Sequence, residues 1–124
     1  MVGIVLVSHS EAVAKGVEEL TKMMAPDAVT CAAGGLEDGS FGTSFDKVKA
    51  AVEKVSSPDG VLILVDMGSA VMTAEMVIES LANDKVQLAD APFVEGALNA
   101  TVLARLGKDM ESIKAEISEY ESKL

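Results

Sequence analysis

Val2-Gly3-Ile4-Val5-Leu6-Val7 is almost wholly apolar, and Ser8-His9-Ser10 follows it directly. A run of this length and character reads as a strand buried on both faces, the habit of parallel sheets. A second such run, Val61-Leu62-Ile63-Leu64-Val65, is the most apolar in the chain and predicts a central strand ending at Asp66. Open α/β sheets bind ligands just beyond the carboxyl ends of their strands. The chain has one histidine, His9, and it falls where this architecture does its chemistry.

Helical and extended patterns alternate outward from these two runs. A helix is predicted from about Ser10 to Ala25, with Val13, Val17, Leu20 and Met24 on one face and Pro26-Asp27 as its stop. A second strand, Ala28 to Ala33, is less apolar and suits a place nearer an edge. The Gly-rich loop from Gly34 to Gly42, which includes Leu36 to Phe41, leads to a second helix starting near Thr43. There Phe45, Val48, Val52 and Val55 repeat at helical spacing, and Thr43 with Asp46 resembles a capping box. Ser57-Pro58-Asp59-Gly60 is a turn. A third helix runs from about Gly68 to Leu81, a short fourth strand from Lys85 to Leu88, and a further helix from Pro92 to Gly107. After Gly107, the residues Met110, Ile113, Ile117, Tyr120 and Leu124 form a narrow seam, as in a docked or paired helix.

This alternation predicts one α/β domain over residues 1–124 with a doubly wound parallel sheet. Right-handed crossovers favour the flavodoxin-like order 2-1-3-4. In that order strands one and three are neighbours at the topological switch point, and His9 and Asp66 face one crevice.

Composition excludes several classes. Ten basic against twenty acidic residues leave a net charge of −10, which argues against nucleic acid as a partner. The charge is read either as solubility or as an acidic face for a basic protein. One cysteine, Cys31, makes no intrachain disulfide and reads as packing. No signal peptide is evident, and Asp66, Glu75 and Glu79 interrupt the longer apolar region from Val61 to Leu81, so a cytoplasmic protein without a membrane span is expected.

His9 with Asp66 is the strongest chemical pairing. A carboxylate on one imidazole nitrogen sets the tautomer and leaves the other nitrogen as a free lone pair. That pairing suits a general base, a metal ligand with its supporting carboxylate, or a nucleophilic histidine; the bland reading is an idle side chain at a strand end. Zinc wants several His or Cys ligands, and this chain has one of each, so no metal site is expected. Ser8, Ser10 and Ser69 lie near the crevice without the G-x-S-x-G elbow of a serine hydrolase. The helix starts at Ser10, near Thr43 and at Gly68-Ser69 turn free N–H groups toward one end of the sheet, which suits an anion such as phosphate. The loop from Gly34 to Gly42 matches neither G-x-G-x-x-G nor a P-loop. A histidine nucleophile facing helix N-termini points to phosphoryl transfer.

Val5-Leu6-Val7-Ser8-His9-Ser10, Val65-Asp66-Met67-Gly68-Ser69-Ala70 and Ala91-Pro92-Phe93-Val94-Glu95-Gly96 together resemble the DhaM family of phosphotransfer subunits. These serve dihydroxyacetone kinases that use phosphoenolpyruvate, and their first domain is similar to the IIA domain of mannose-type sugar phosphotransferase systems (PTS). The resemblance spans roughly residues 1 to 107. It implies a phosphohistidine carrier: phospho-HPr donates to His9, and the phosphoryl group passes to ADP on the partner subunit DhaL. DhaL then phosphorylates dihydroxyacetone held by DhaK. It also implies Asp66 as the group orienting His9, and Gly42, Thr43, Gly68 and Ser69 as phosphoryl-stabilising, to which the helix start adds Ser10. No cofactor is expected on this chain, with ADP and magnesium on DhaL. Some family members append HPr-like and enzyme-I-like domains; a chain of this length is expected to draw on separate proteins for those roles. Relatives of this fold are dimers, so a homodimer is expected, built on the C-terminal seam or the fourth strand and leaving the His9 crevice open. The alternatives are a non-catalytic module for a small anion and a receiver-like regulator. The latter needs an acidic pair after strand one, where Ser8 and His9 stand.

Overall fold

The computed structural model describes residues 1–120. Among these, four strands and five helices follow in the order β1 (Gly3–Ser8), α1 (Glu11–Met24), β2 (Thr30–Gly34), α2 (Phe45–Val55), β3 (Val61–Val65), α3 (Gly68–Leu81), β4 (Val86–Leu88), α4 (Phe93–Arg105) and α5 (Met110–Ile117). The sheet order is β2-β1-β3-β4 and every pairing is parallel. The fold is therefore the α/β doubly wound sheet with order 2-1-3-4 that the two apolar runs predict. β1 is buried at every position, because helices cover both of its faces.

The strands alternate between two cores. Ile4, Leu6, Leu62 and Leu64 pack on one side with Val17 of α1, Ala97, Ala100 and Ala104 of α4, and Ile113 and Ile117 of α5. Val5, Val7 and Ile63 pack on the other side with Val48 and Val52 of α2 and Ala70, Ala74 and Val77 of α3. Even-numbered positions of β1 thus face α1, α4 and α5, and odd-numbered positions face α2 and α3. Beyond the last paired residues, the Ser8 hydroxyl meets Ser10 at the start of α1, and the His9 ring meets Ser69 at the start of α3.

Three readings change. The second strand begins and ends later, at Thr30–Gly34 rather than Ala28–Ala33, because Ala28 N–H turns back to the Ala25 carbonyl. The cap of α2 is Ser44, whose hydroxyl accepts from Lys47 N–H; Thr43 lies one residue outside and spends its hydroxyl on Thr73 at 2.7 Å. The buried face of α1 is Ala14, Val17 and Thr21, while Val13, Leu20 and Met24 are exposed. The helix is rolled toward β2, where Glu18 accepts from Ala32 N–H at 2.9 Å and Thr21 meets Thr30 at 3.2 Å. Polar bonds to an edge strand, absent from any apolar count, set the phase of this helix.

The C-terminal seam is docked within the chain. Met110, Ile113 and Ile117 are buried in the α1/α4 core, and Tyr120 packs against it. Leu124, the last residue of the predicted seam, lies outside the described residues. Among the described residues the seam is turned inward, which is the docked reading of its spacing.

Candidate active site

Two backbone facts bring His9 and Asp66 together. β1 and β3 run parallel in a register that sets Val7 beside Val65, so Ser8 stands level with Asp66 one residue further on. Asp66 N–H donates to the Val7 carbonyl at 3.1 Å, which continues the ladder to the aspartate itself. The Asp66 side chain then meets the incoming chain with both oxygens. Its Oδ2 accepts from His9 N–H at 3.1 Å and from the Ser8 hydroxyl at 2.9 Å. Its Oδ1 lies 3.1 Å from His9 Nδ1.

This geometry assigns the ring. An ionised carboxylate only accepts, so in the neutral imidazole a hydrogen bond at Nδ1 puts the proton there and leaves Nε2 with a lone pair. Nε2 lies 2.6 Å from the Ser69 hydroxyl in the first turn of α3. The His9 and Asp66 side chains are 21% and 18% exposed: open enough for a partner to reach, shielded enough for the pairing to be felt. Burial pushes the Asp66 carboxyl up, but the His9 N–H, the Ser8 hydroxyl and the imidazole together outweigh it and hold the group below the ordinary aspartate value of 3.8. Hydrogen bonds to the charged form win over desolvation here.

Helix α3, like α4 with Pro92 at its cap position, starts without a side-chain cap. Ser10, Ser44 and Asp109 cap α1, α2 and α5 through their side chains. The cap position of α3 is Met67, which offers no side-chain acceptor. Among the described residues no side chain caps its first turn, at Gly68 and Ser69, where the Ser69 hydroxyl meets His9 Nε2; free N–H groups of a first turn favour an anion.

The other expected residues lie close by in supporting positions. Ser10 N–H donates to the Ser8 hydroxyl at 3.0 Å, and the Ser10 hydroxyl caps α1. Gly42 N–H donates to the His9 carbonyl at 2.9 Å, in a backbone conformation (φ 146°) that favours glycine. Thr43 is tied to Thr73 of α3. Gly34 matters through contact: a Cβ there would stand 2.5 Å from the Ser10 carbonyl oxygen and 2.6 Å from Ala14 Cβ. The glycine lets α1 start hard against the end of β2. Phe41 and Met67 are exposed, and a cleft beside Ser10 is lined by Glu11, Lys15, Gly39 and Phe41. No three His, Cys, Asp or Glu side chains converge on one point among the described residues.

Sequence reasoning placed Ser8 near the crevice but gave it no role. Ser8 is fully buried and bonds to both Asp66 and Ser10. The signal available was a small polar residue closing a wholly apolar strand.

A parallel α/β domain built around one imidazole and one carboxylate at its switch point is the class that fold and site define. The EIIA-man family model, described as the PTS system fructose IIA component, matches residues 3–114. The phosphoryl donor subunit DhaM of a PEP-dependent dihydroxyacetone kinase from Listeria innocua is 40% identical, over 98% of this chain and 96% of that one. The DhaM of Lactococcus lactis is 38% identical, over 93% and 92%. That of Escherichia coli is 42% identical over 91% of this chain, which spans only 25% of that longer protein. A crystal structure of a protein of unknown function superposes with a TM-score of 0.87 at 33% identity, over 98% of this chain and 96% of that one. The sigma-54 interaction domain protein from Enterococcus faecalis shares the fold, with a TM-score of 0.70 at 18% identity. The chain belongs to the EIIA-man family, among the DhaM phosphoryl donor subunits.

Proposed function

We propose that this chain is the phosphohistidine carrier of a dihydroxyacetone kinase, accepting from phospho-HPr on His9 Nε2 and delivering to ADP on a DhaL-type partner. The observation that carries the reading is the Nδ1 contact of His9 with Asp66, with Nε2 turned to the uncapped start of α3. The names of the relatives supply the substrate of the whole assembly.

In the accepting step the N–P bond of the donor phosphohistidine breaks as the Nε2–P bond forms. The donor imidazole leaves with its electron pair. Nδ1 keeps its proton, and the positive character of the ring faces Asp66. The Ser69 hydroxyl turns away from Nε2 and donates to a phosphoryl oxygen, with Gly68 and Ser69 N–H beside it; Ser10, Gly42 and Thr43 hold the surrounding backbone. Dipoles already in place lower the charge cost of the transfer. In the delivering step the Nε2–P bond breaks, a β-phosphate oxygen of ADP forms the new P–O bond, and Nε2 recovers its lone pair. ADP and magnesium belong to the partner. The reading includes a homodimer whose interface leaves the His9 crevice open.

The test incubates the chain with phosphoenolpyruvate, enzyme I and HPr and measures intact mass. One phosphoryl group is expected, stable in alkali and lost in acid, and absent from folded His9→Ala. Labelling that persists in His9→Ala, or a label lost to hydroxylamine, overturns it. A chain that gains no phosphate would instead be a module for a small anion.

A further inference from the structure

We propose that Ser8 is a positioning residue for His9: its hydroxyl locks the Asp66 carboxylate in the orientation that keeps the imidazole proton on Nδ1. This rests on the phosphohistidine reading for its consequence, though not for its geometry.

The partners of Ser8 fix its own proton. Asp66 Oδ2, at 2.9 Å, can only accept, and Ser10 N–H, at 3.0 Å, can only donate. The hydroxyl therefore donates to Asp66 and accepts from Ser10, with no second arrangement open to it. Ser8 Oγ also meets Ser10 at the start of α1, and the His9 ring also meets Ser69 of α3, so Asp66 is gripped by two side chains that are themselves held by different helices. Oδ2 is held by Ser8 Oγ and His9 N–H, which aims Oδ1 at Nδ1. The serine is fully buried, so no water replaces the hydroxyl when it is removed. A carboxylate left with His9 N–H alone on Oδ2 gains freedom to turn, and the Nδ1–H tautomer loses its main support. Ser8 touches neither the reacting nitrogen nor the phosphoryl group; it acts through Asp66.

The test has two readouts. Nitrogen-15 NMR of the unphosphorylated imidazole reads the tautomer, and quenched-flow labelling from phospho-HPr reads the transfer rate. The wild type is expected as the Nδ1–H form. Ser8→Ala is expected to show a larger Nε2–H population and to slow transfer roughly tenfold, the scale of one buried hydrogen bond. Ser8→Thr restores both. In an Asp66→Asn background, Ser8→Ala is expected to cost nothing further, and this cycle decides the matter if the threonine does not fit. An unchanged tautomer in folded Ser8→Ala overturns the proposal, as does an equal rate loss in both backgrounds. If the wild type takes up no phosphate, the phosphohistidine reading fails by itself, and the tautomer comparison still decides what Ser8 does.

Discussion

Asp66 keeps its charge against burial because three hydrogen bonds favour the carboxylate: from Ser8 Oγ, His9 N and His9 Nδ1. The pH dependence follows from the sign of that shift. A carboxyl held below 3.8 in the folded chain binds fewer protons than in the unfolded one near that pH. Its contribution to stability is complete above the ordinary aspartate range and is lost as pH falls through the lowered folded value. Carboxyl carbon-13 NMR is expected to find Asp66 titrating below a free aspartate, and Ser8→Ala to move it upward. Asp66→Asn is expected to remain folded and to label about tenfold more slowly, a barrier change of about 1.4 kcal/mol, because the amide favours no single ring tautomer. Phosphorus–proton correlations are expected to put the phosphate on Nε2. Phosphate on Nδ1 or on Asp66 would reverse the roles of the pair.

At the scale of elements, the site is a meeting of three chain segments, each with its own reason to stop where it does. β1 ends at Ser8, whose hydroxyl donates to Asp66 beyond the end of β3 and accepts from Ser10 N–H two residues on. α1 begins one residue after its cap, Ser10, and lies against Gly34, which has no room for a side chain. α3 begins without a side-chain cap beside Nε2. Gly34→Ala is therefore expected to destabilise the protein by about 1–3 kcal/mol through overpacking, and to slow phosphorylation because Ser10 and His9 shift with the helix. Urea unfolding followed by labelling of the folded variant checks both. Normal stability and a normal rate would show that α1 yields to the methyl group freely.

Over the whole molecule, the two cores have different relations to the site. The α2/α3 core holds the helix that faces His9, and the α1/α4/α5 core anchors the helix at whose start Ser10 meets the Ser8 hydroxyl. α5 contributes Met110, Ile113 and Ile117 to the second. Ile113→Ala is expected to cost about 2–5 kcal/mol, as for other fully buried large-to-small changes, measured by thermal or urea unfolding. A change well under 1 kcal/mol would place α5 outside the cooperative unit.

Fold class and strand order were legible from residues 2–7 and 61–65, because hydrophobic burial is strong and each run is long enough to demand cover on both faces. His9 and Asp66 were legible as a pair because both follow central strands, and crossover handedness leaves few orders open. The start of α3 at Gly68 was legible as well. The roll of α1, the cap of α2 and the part taken by Ser8 were not. Each is decided by a polar contact between segments distant in sequence or by a single hydrogen bond: Glu18 with Ala32, Thr43 with Thr73, Ser8 with Asp66. Periodicity records how much apolar surface a segment must bury, and so it determines layers and strand neighbours. It carries no information on which donor meets which acceptor, since that depends on register and helix rotation to within an ångström. Those are set only when the whole chain packs.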